Sequence, residues 1–302
     1  MTSIIVDSIK KTYGEITAVD SATFEVDEGE LFGLIGPDGA GKTTLFRILT
    51  TLLIPDEGTA TLEGWDTVTH YRKIRSIIGY MPGRFSLYPD LSVKENLEFF
   101  ATIFDTTIGD NYFLIEDIYK QIEPFKDRLA SNLSGGMKQK LALSCALIHK
   151  PSVLVLDEPT TGVDAVSRKE FWEMLMKLKK QGITILVSTP YMDEASMCDR
   201  VALIQKGKIM KIDPPEKILA DYPGTIWAAK AENQYRLLQN IRDYEEVASV
   251  YPFGEYIHFT PQSDIFEEEK LREFLESRGH RDMEIKKTEP TIEDCFMELM
   301  NQ

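Results

Sequence analysis

Short unbroken apolar runs punctuate the first two thirds of the chain: Leu31-Phe32-Gly33-Leu34-Ile35, Val153-Leu154-Val155-Leu156 and Ile183 to Val187. Each has the length of a strand, and longer segments with apolar residues at helical spacing lie between them. Strands apolar at every position are buried on both faces, so from Ser3 to about Ala220 the pattern predicts an α/β architecture around a mostly parallel sheet. Between Leu91 and Leu147 the strand signal disappears. Helical spacing dominates there, with Ser92 and Ser134 placed as N-caps and Pro124 as an interruption, which predicts an all-helical insert over about 91–147.

The texture changes again after Asp213-Pro214-Pro215 and Tyr222-Pro223-Gly224. The order predicted beyond this point is a strand (Thr225 to Ala229), a helix (Gln234 to Arg242), two strands around Pro252-Phe253-Gly254, a helix (Ile265 to Arg278), a strand (Met283 to Lys286) and a last helix to Met300. A βαββαβ order implies a small α+β module of ferredoxin-like type. The expected division is therefore an α/β domain over 1–220 and an accessory α+β domain over 221–302.

Composition narrows the partners. A formal net charge of -15 disfavours nucleic acid and an anionic membrane surface as direct partners, because both attract basic stripes. The stretch from Asp221 to Gln302 carries 18 acidic and 9 basic residues, which suits a solvated accessory better than a catalytic part. Cys145, Cys198 and Cys295 are far apart and lack metal-ligand spacing, as expected in a reducing compartment. No stretch approaches the ~18 to 20 apolar residues that cross a bilayer, and Met1 to Lys10 does not read as an export signal. The expectation is a cytoplasmic protein whose membrane role, if any, requires a partner.

The candidate chemistry begins at Gly36-Pro37-Asp38-Gly39-Ala40-Gly41-Lys42-Thr43, with Thr44 following. This run satisfies G-x-x-x-x-G-K-[ST], follows an apolar strand and opens a helical pattern, the context of a P-loop. Its glycines let backbone N-H groups converge on phosphates, Lys42 reaches the β- and γ-phosphates, and Thr43 offers a hydroxyl to Mg²⁺. A second strand ends in Asp157-Glu158: the first carboxylate suits Mg²⁺, the second orients or deprotonates water. The chain is expected to bind ATP or GTP, with Glu158 and Lys42 as its catalytic groups.

Leu133-Ser134-Gly135-Gly136-Met137-Lys138-Gln139 resembles the LSGGQ signature of ABC ATPases, with Met137 in place of the usual Gln. The resemblance covers the whole chain and implies a P-loop NTPase core of the ABC ATPase kind. It implies that Tyr13 stacks on adenine, that Thr161-Gly162-Val163-Asp164 is the D-loop with Asp164 as its acid, and that Ser134, Gly135 and Gly136 act in trans on the site of a second ABC ATPase subunit. Gly79-Tyr80-Met81-Pro82 before Leu87-Tyr88-Pro89-Asp90-Leu91, and the ending Glu289-Pro290-Thr291-Ile292-Glu293-Asp294-Cys295-Phe296, resemble subunits serving ABC-2 type exporters. An integral membrane permease would then be the second partner, and the cytoplasmic membrane face the location.

Two positions depart from the family pattern. Gly83 stands where a glutamine is usual, and Pro190 stands where the switch histidine belongs in Ser188-Thr189-His-Tyr-Met-Asp-Glu-Ala. Losing one donor aimed at transition-state charge lowers a rate roughly 10² to 10³-fold. These departures imply low intrinsic ATPase activity and favour pairing with an intact, different subunit over a homodimer. They also leave open an ATP-gated clamp with little turnover. Ribosomal or DNA-repair ABC proteins fit less well, given the single P-loop and the acidic balance.

Overall fold

The chain opens with two twelve-residue strands, β1 (Thr2–Tyr13) and β2 (Ile16–Asp27), paired antiparallel as a hairpin. In this computed structural model, which describes residues 1–263 and 265–301, two compact units are distinguished: Met1–Pro215 and Glu216–Gln302. Continuing along the first unit, β3 (Leu31–Ile35) leads into α1 (Lys42–Leu49). Strands β4 (Glu57–Leu62) and β5 (Trp65–Asp66) follow, then α2 (Tyr71–Ile77) and β6 (Ile78–Met81). Helices α3 (Val93–Ile103), α4 (Tyr112–Tyr119) and α5 (Gly135–Leu147) come next. After them are β7 (Val153–Asp157), α6 (Ala165–Lys180), β8 (Thr184–Thr189), β9 (Arg200–Gln205) and β10 (Lys208–Asp213).

These strands make two sheets. Six of them run in the order β10-β9-β3-β8-β7-β6, parallel throughout except for the β9–β10 hairpin. Strands β3, β7 and β8 are buried at every position, as their apolar runs require, and the polar Asp157, Thr184, Ser188 and Thr189 are buried with them. The remaining four form an antiparallel sheet, β2-β1-β4-β5, which the apolar runs did not announce. Its strands bury one face only, in β2 Ala22, Phe24 and Val26 at alternate positions but Val19 three residues before Ala22, and repeated register shifts between β1 and β2 break the two-residue period on which strand recognition depends. One core joins the two sheets: Phe24 stacks on Phe32 at 5.4 Å, and α1 adds Leu45, Phe46, Ile48 and Leu49.

Between Ser92 and Leu147 the structure is helical, apart from an isolated bridge between Ser92 and Leu129. Ser92 and Glu95 form a reciprocal capping box at the start of α3, an arrangement that stabilises a helix by about 1 kcal/mol. Asn96, one turn further, is fully buried. Its amide nitrogen donates to the carbonyls of Tyr88, Leu91 and Ser92, and its oxygen accepts from the Tyr88 N-H, pinning the loop before α3 to the helix.

The second unit begins near α7 (Pro215–Ala220). It continues through β11 (Ile226–Lys230), α8 (Gln234–Arg242), β12 (Val247–Phe253), β13 (Tyr256–Pro261), α9 (Glu268–Ser277), β14 (Glu284–Thr288) and α10 (Ile292–Asn301). Its antiparallel sheet runs β12-β13-β11-β14, the ferredoxin-like arrangement. Leu237 and Ile241 of α8 and Leu271 and Leu275 of α9 pack with Ile257, Phe259 and Ile285 of the sheet. Helix α10 is tied down by Asp294, whose fully buried carboxylate accepts from Tyr251 Oη and His258 Nδ1 at 2.7 Å each and from the Thr291 N-H and hydroxyl at 2.6 Å each. Among the described residues no helix is long and apolar enough to cross a membrane.

Candidate functional site

Strands β3, β7 and β8 are parallel neighbours, so the segments leaving their C-terminal ends gather at one edge of the sheet, where open α/β folds bind ligands. From β3 the chain enters Gly36, whose N-H donates to the Thr189 carbonyl at 3.3 Å. Pro37, Asp38 and Gly39 carry it outward, and Ala40 closes the turn by donating to the Pro37 carbonyl. Gly41, at φ 107°, turns the backbone into α1. Only glycine suits Gly41, because a Cβ there would collide with the Ala18 carbonyl of β2. Helix α1 carries no acidic residue in its first turn, so its positive end is uncompensated. Thr43 and Thr44 are half-buried in that turn.

Lys42 is almost wholly buried. Its ammonium donates to the Gly36 and Pro37 carbonyls at 2.8 and 3.1 Å and pairs with Glu158 Oε1 at 3.0 Å. Glu158 sits at φ 49°, a left-handed conformation costly for a residue with a side chain. Its N-H is held by both the carbonyl and the hydroxyl of Ser188, at 3.1 and 3.0 Å. The same hydroxyl donates to Asp157 Oδ1 at 2.7 Å. Ser188 therefore fixes both carboxylate-bearing residues at the end of β7. Among the described residues, Asp157 Oδ2 and the Thr43 hydroxyl have no protein hydrogen-bond partner, and no group of three or more His, Cys, Asp and Glu could hold a metal. One carboxylate and one hydroxyl suit Mg²⁺, which takes few protein ligands and completes its shell with water and phosphate oxygens.

Both departures from the expected pattern lie at this edge. A Cβ at Gly83 would fall 3.1 Å from the Asp157 carbonyl and 3.7 Å from its Oδ2, so a longer side chain here would have Asp157 within reach. Pro190 directly follows Thr189, the last residue of β8. Tyr13 is 47% exposed at the tip of the β1–β2 hairpin, and Ala18, a few residues along β2, abuts Gly41.

The second glycine-rich motif stands apart. Ser134 caps α5 by accepting from the Met137 N-H at 3.4 Å. A Cβ at Gly136 would come within 2.9 Å of Ser167 Oγ, and one at Gly135 within 3.5 Å of the Gly162 carbonyl, so this helix start rests on the segment entering α6. Asp164 caps α6 by accepting from Val166 and Ser167, and those donors, the Ser167 backbone foremost, hold its carboxyl below the usual range. Among the described residues, the contacts of Ser134, Gly135 and Gly136 do not include Lys42 or Glu158.

Three residues here have no role of their own in the sequence reading. Ser188 is one; its neighbour Asp157 is 31 positions away, and only the parallel pairing of β7 and β8 brings them together. Glu194 is another: buried, its Oε2 accepts from Thr160 at 3.1 Å and from Thr189 at 2.6 Å, with Arg168 facing Oε1 at 3.8 Å. The third is Tyr80, pushed up to about 12 by burial and by the charge of Asp157. Its strand also borders an apolar groove of about 680 Å³ between the end of β6 and helices α3 and α5, lined by Leu52, Met81, Leu87, Phe100, Ile103 and Ala146.

Comparison with known proteins agrees with this geometry. The pattern of the family described as ABC transporter matches residues 19–161. The probable multidrug ABC transporter ATP-binding protein YbhF of Escherichia coli is 37% identical over 91% of this chain. The chain spans about half the length of that relative, 48%. The Nod factor export ATP-binding protein I of Rhizobium sp. (strain N33) is 33% identical over 99% of this chain and 98% of its own. Among solved structures, the dimeric bacterial ABC transporter cassette MJ0796 superposes with a TM-score of 0.64 at 27% identity, covering 70% of this chain and 98% of its own.

Proposed function

Because this chain belongs to the family of ABC transporter ATP-binding subunits, we propose that it binds and hydrolyses Mg-ATP at a subunit interface and drives a separate exporter permease of the ABC-2 type. The observation that carries this reading is the convergence of Gly36 to Thr44, Asp157, Glu158 and Ser188 at one sheet edge around the buried Lys42. Residues 1–220 would form the ATPase domain and 221–302 the accessory module.

In this reading the N-H groups of Gly39 and Gly41 and the first turn of α1 receive the phosphates, and the buried Lys42 adds a positive charge. Thr43 and Asp157 would hold Mg²⁺, which supplies charge neutralisation on the phosphate oxygens. Glu158 orients the attacking water and takes its proton, while Tyr13, exposed at its hairpin tip, offers its ring to adenine. Ser134, Gly135 and Gly136 present N-H groups to the site of the partner subunit, with Asp164 in the crossing loop. That the MJ0796 cassette is dimeric supports a subunit interface.

Gly83 and Pro190 remove two polar groups from the γ-phosphate end of the site, so a partner with both intact is favoured over a second copy. The apolar groove beside β6, with the loop from Gly83 to Leu91 at its rim, is where the permease would dock on the cytoplasmic face. Co-expression with candidate permeases, followed by purification in detergent, tests the assignment; an ATPase that associates with none of them would overturn it. If Mg-ATP binds normally to the assembled complex but is not turned over there, the chain is instead an ATP-gated clamp.

A further inference from the structure

Beside the groove, β5, α2 and the loop after α1 bring exposed apolar and cationic side chains together. The rings of Trp65 and His70 lie 5.1 Å apart. Tyr71, the next residue, is flanked by the guanidinium groups of Arg72 and Arg75 at 5.8 and 5.3 Å from its ring. Arg75 reaches on to the preceding loop, donating from Nε to Thr51 Oγ1 at 2.8 Å and from Nη2 to the Thr51 carbonyl at 3.1 Å. There Leu52 is 58% exposed, alongside Trp65 at 38% and Tyr71 at 39%.

The charge of this surface opposes that of the chain. From Thr67 to Pro89 there is no Asp or Glu, whereas Arg72, Lys73, Arg75 and Arg84 all fall within that stretch. Among the described residues, Arg72, Lys73 and Arg75 form no ion pair. Asp66, beside Trp65, is half-exposed, and its Oδ1 accepts from the Thr69 and Val68 N-H groups and the Thr69 hydroxyl. Glu63, on the turn before Trp65, is the exposed acid at the margin. The net charge of -15 argues against anionic surfaces for the whole chain, but a Debye length of about 8 to 10 Å makes the local charge decisive at contact.

We propose that this patch contacts the anionic phospholipid headgroups of a membrane surface. Unpaired cations next to half-exposed Trp and Tyr rings and exposed aliphatic side chains match a headgroup layer, which offers negative charge outside and apolar depth beneath. A soluble anion would satisfy the guanidinium groups but leave Trp65, Val68 and Leu52 in water. Leu52 and Arg75 also line the groove, so with a permease seated there Trp65, Val68, Tyr71, Arg72 and Lys73 are the part of the patch left to face lipid. Lipid contact itself does not depend on that reading.

The test uses the purified full chain with vesicles of phosphatidylcholine alone or of equal parts phosphatidylcholine and phosphatidylglycerol. Co-sedimentation is expected with the acidic vesicles only and should weaken as salt rises. The double variant Arg72→Gln/Lys73→Gln should partition roughly 30-fold more weakly, the loss expected for two headgroup contacts. Trp65 supplies a site-specific readout, because Trp172 is buried and Trp227 lies in the other unit: brominated lipid should quench tryptophan fluorescence in the parent and not in Trp65→Phe. Equal binding to both vesicle types, no binding at all, unchanged partition of the double variant, or quenching that persists in Trp65→Phe would overturn the proposal. Vesicle binding untouched by the double variant while permease co-purification is lost would assign the patch to protein contact instead.

Discussion

Lys42 Nζ lies 3.0 Å from Glu158 Oε1, so the helix that follows β3 and the strand end of β7 are joined through a charge pair at the buried base of the site. The lysine's remaining hydrogen bonds go to carbonyls of its own loop. Replacing Lys42 with Ala removes charge-assisted contacts worth about 2 to 3 kcal/mol, so ATP affinity should fall roughly 30- to 150-fold by calorimetric titration. Affinity equal to that of the parent would show that the glycine-rich loop does not hold phosphates.

Ser188 makes a sharper test of geometry, because its hydroxyl serves Asp157 Oδ1 and the Glu158 N-H at once. Ser188→Ala leaves a buried carboxylate oxygen without its donor. Stability should drop by about 1 to 3 kcal/mol, read as a lower melting temperature. Mg²⁺-dependent nucleotide binding should weaken more than binding in excess chelator. If both fall equally, the hydroxyl supports the fold and has no separate hold on Asp157.

Under the proposed pairing with an intact subunit, Gly83 and Pro190 would make the two sites unequal. In a complex with an intact partner, Glu158 of this chain works in the impaired site while Ser134 completes the competent one. Glu158→Gln should then leave most of the complex's ATPase activity, whereas Ser134→Arg, which places bulk and charge at the cap of α5, should abolish it. Gly83→Gln combined with Pro190→His should raise turnover at the weak site. A Cβ at Gly83 has the Asp157 carbonyl 3.1 Å away, so the loop must yield by only a few tenths of an ångström. Equal, near-total loss from Glu158→Gln and Ser134→Arg would point to a homodimer.

The second unit should be acid-sensitive through Asp294. Burial alone would raise its pKa, but donation from His258, Thr291 and Tyr251 outweighs burial and leaves it below the usual 3.8. A depressed carboxyl pKa contributes stability that is complete above the unfolded value and lost as pH falls through the folded one. Asp294→Asn should therefore destabilise the unit by about 3 kcal/mol at neutral pH, and the gap from the parent should stay constant down to about pH 4 and narrow below it. Thermal melts of parent and variant between neutral pH and strong acid decide this. A gap that does not change with pH would mean that the network acts by shape alone.

What the sequence disclosed depended on how far apart the interacting residues lie along it. Gly36 to Thr43 and Leu133 to Gln139 are local signals, and the second unit's element order follows from consecutive patterns, so each was legible. The antiparallel sheet of β1, β2, β4 and β5 was not, because its bulges shift the alternation that marks a half-buried strand. Ser188 and Glu194 were equally hidden. Each acts on a residue about 30 positions away, Asp157 and Thr160 respectively, and nothing local distinguishes a serine or glutamate that will meet such a partner.

Glu194 has a mechanical consequence. One of its carboxylate oxygens accepts from Thr160, beyond β7, and from Thr189, at the end of β8, while Arg168 of α6 faces the other. Two bonds to one buried atom remove the freedom of either segment to shift alone. A push felt at Thr189 is therefore delivered to the entrance of α6, the surface on which Gly136 rests without clearance for a single methyl group. The molecule thus contains a crank: its handle lies beside the glycine-rich loop, whose Gly36 N-H is held by Thr189, and its throw reaches the start of α5.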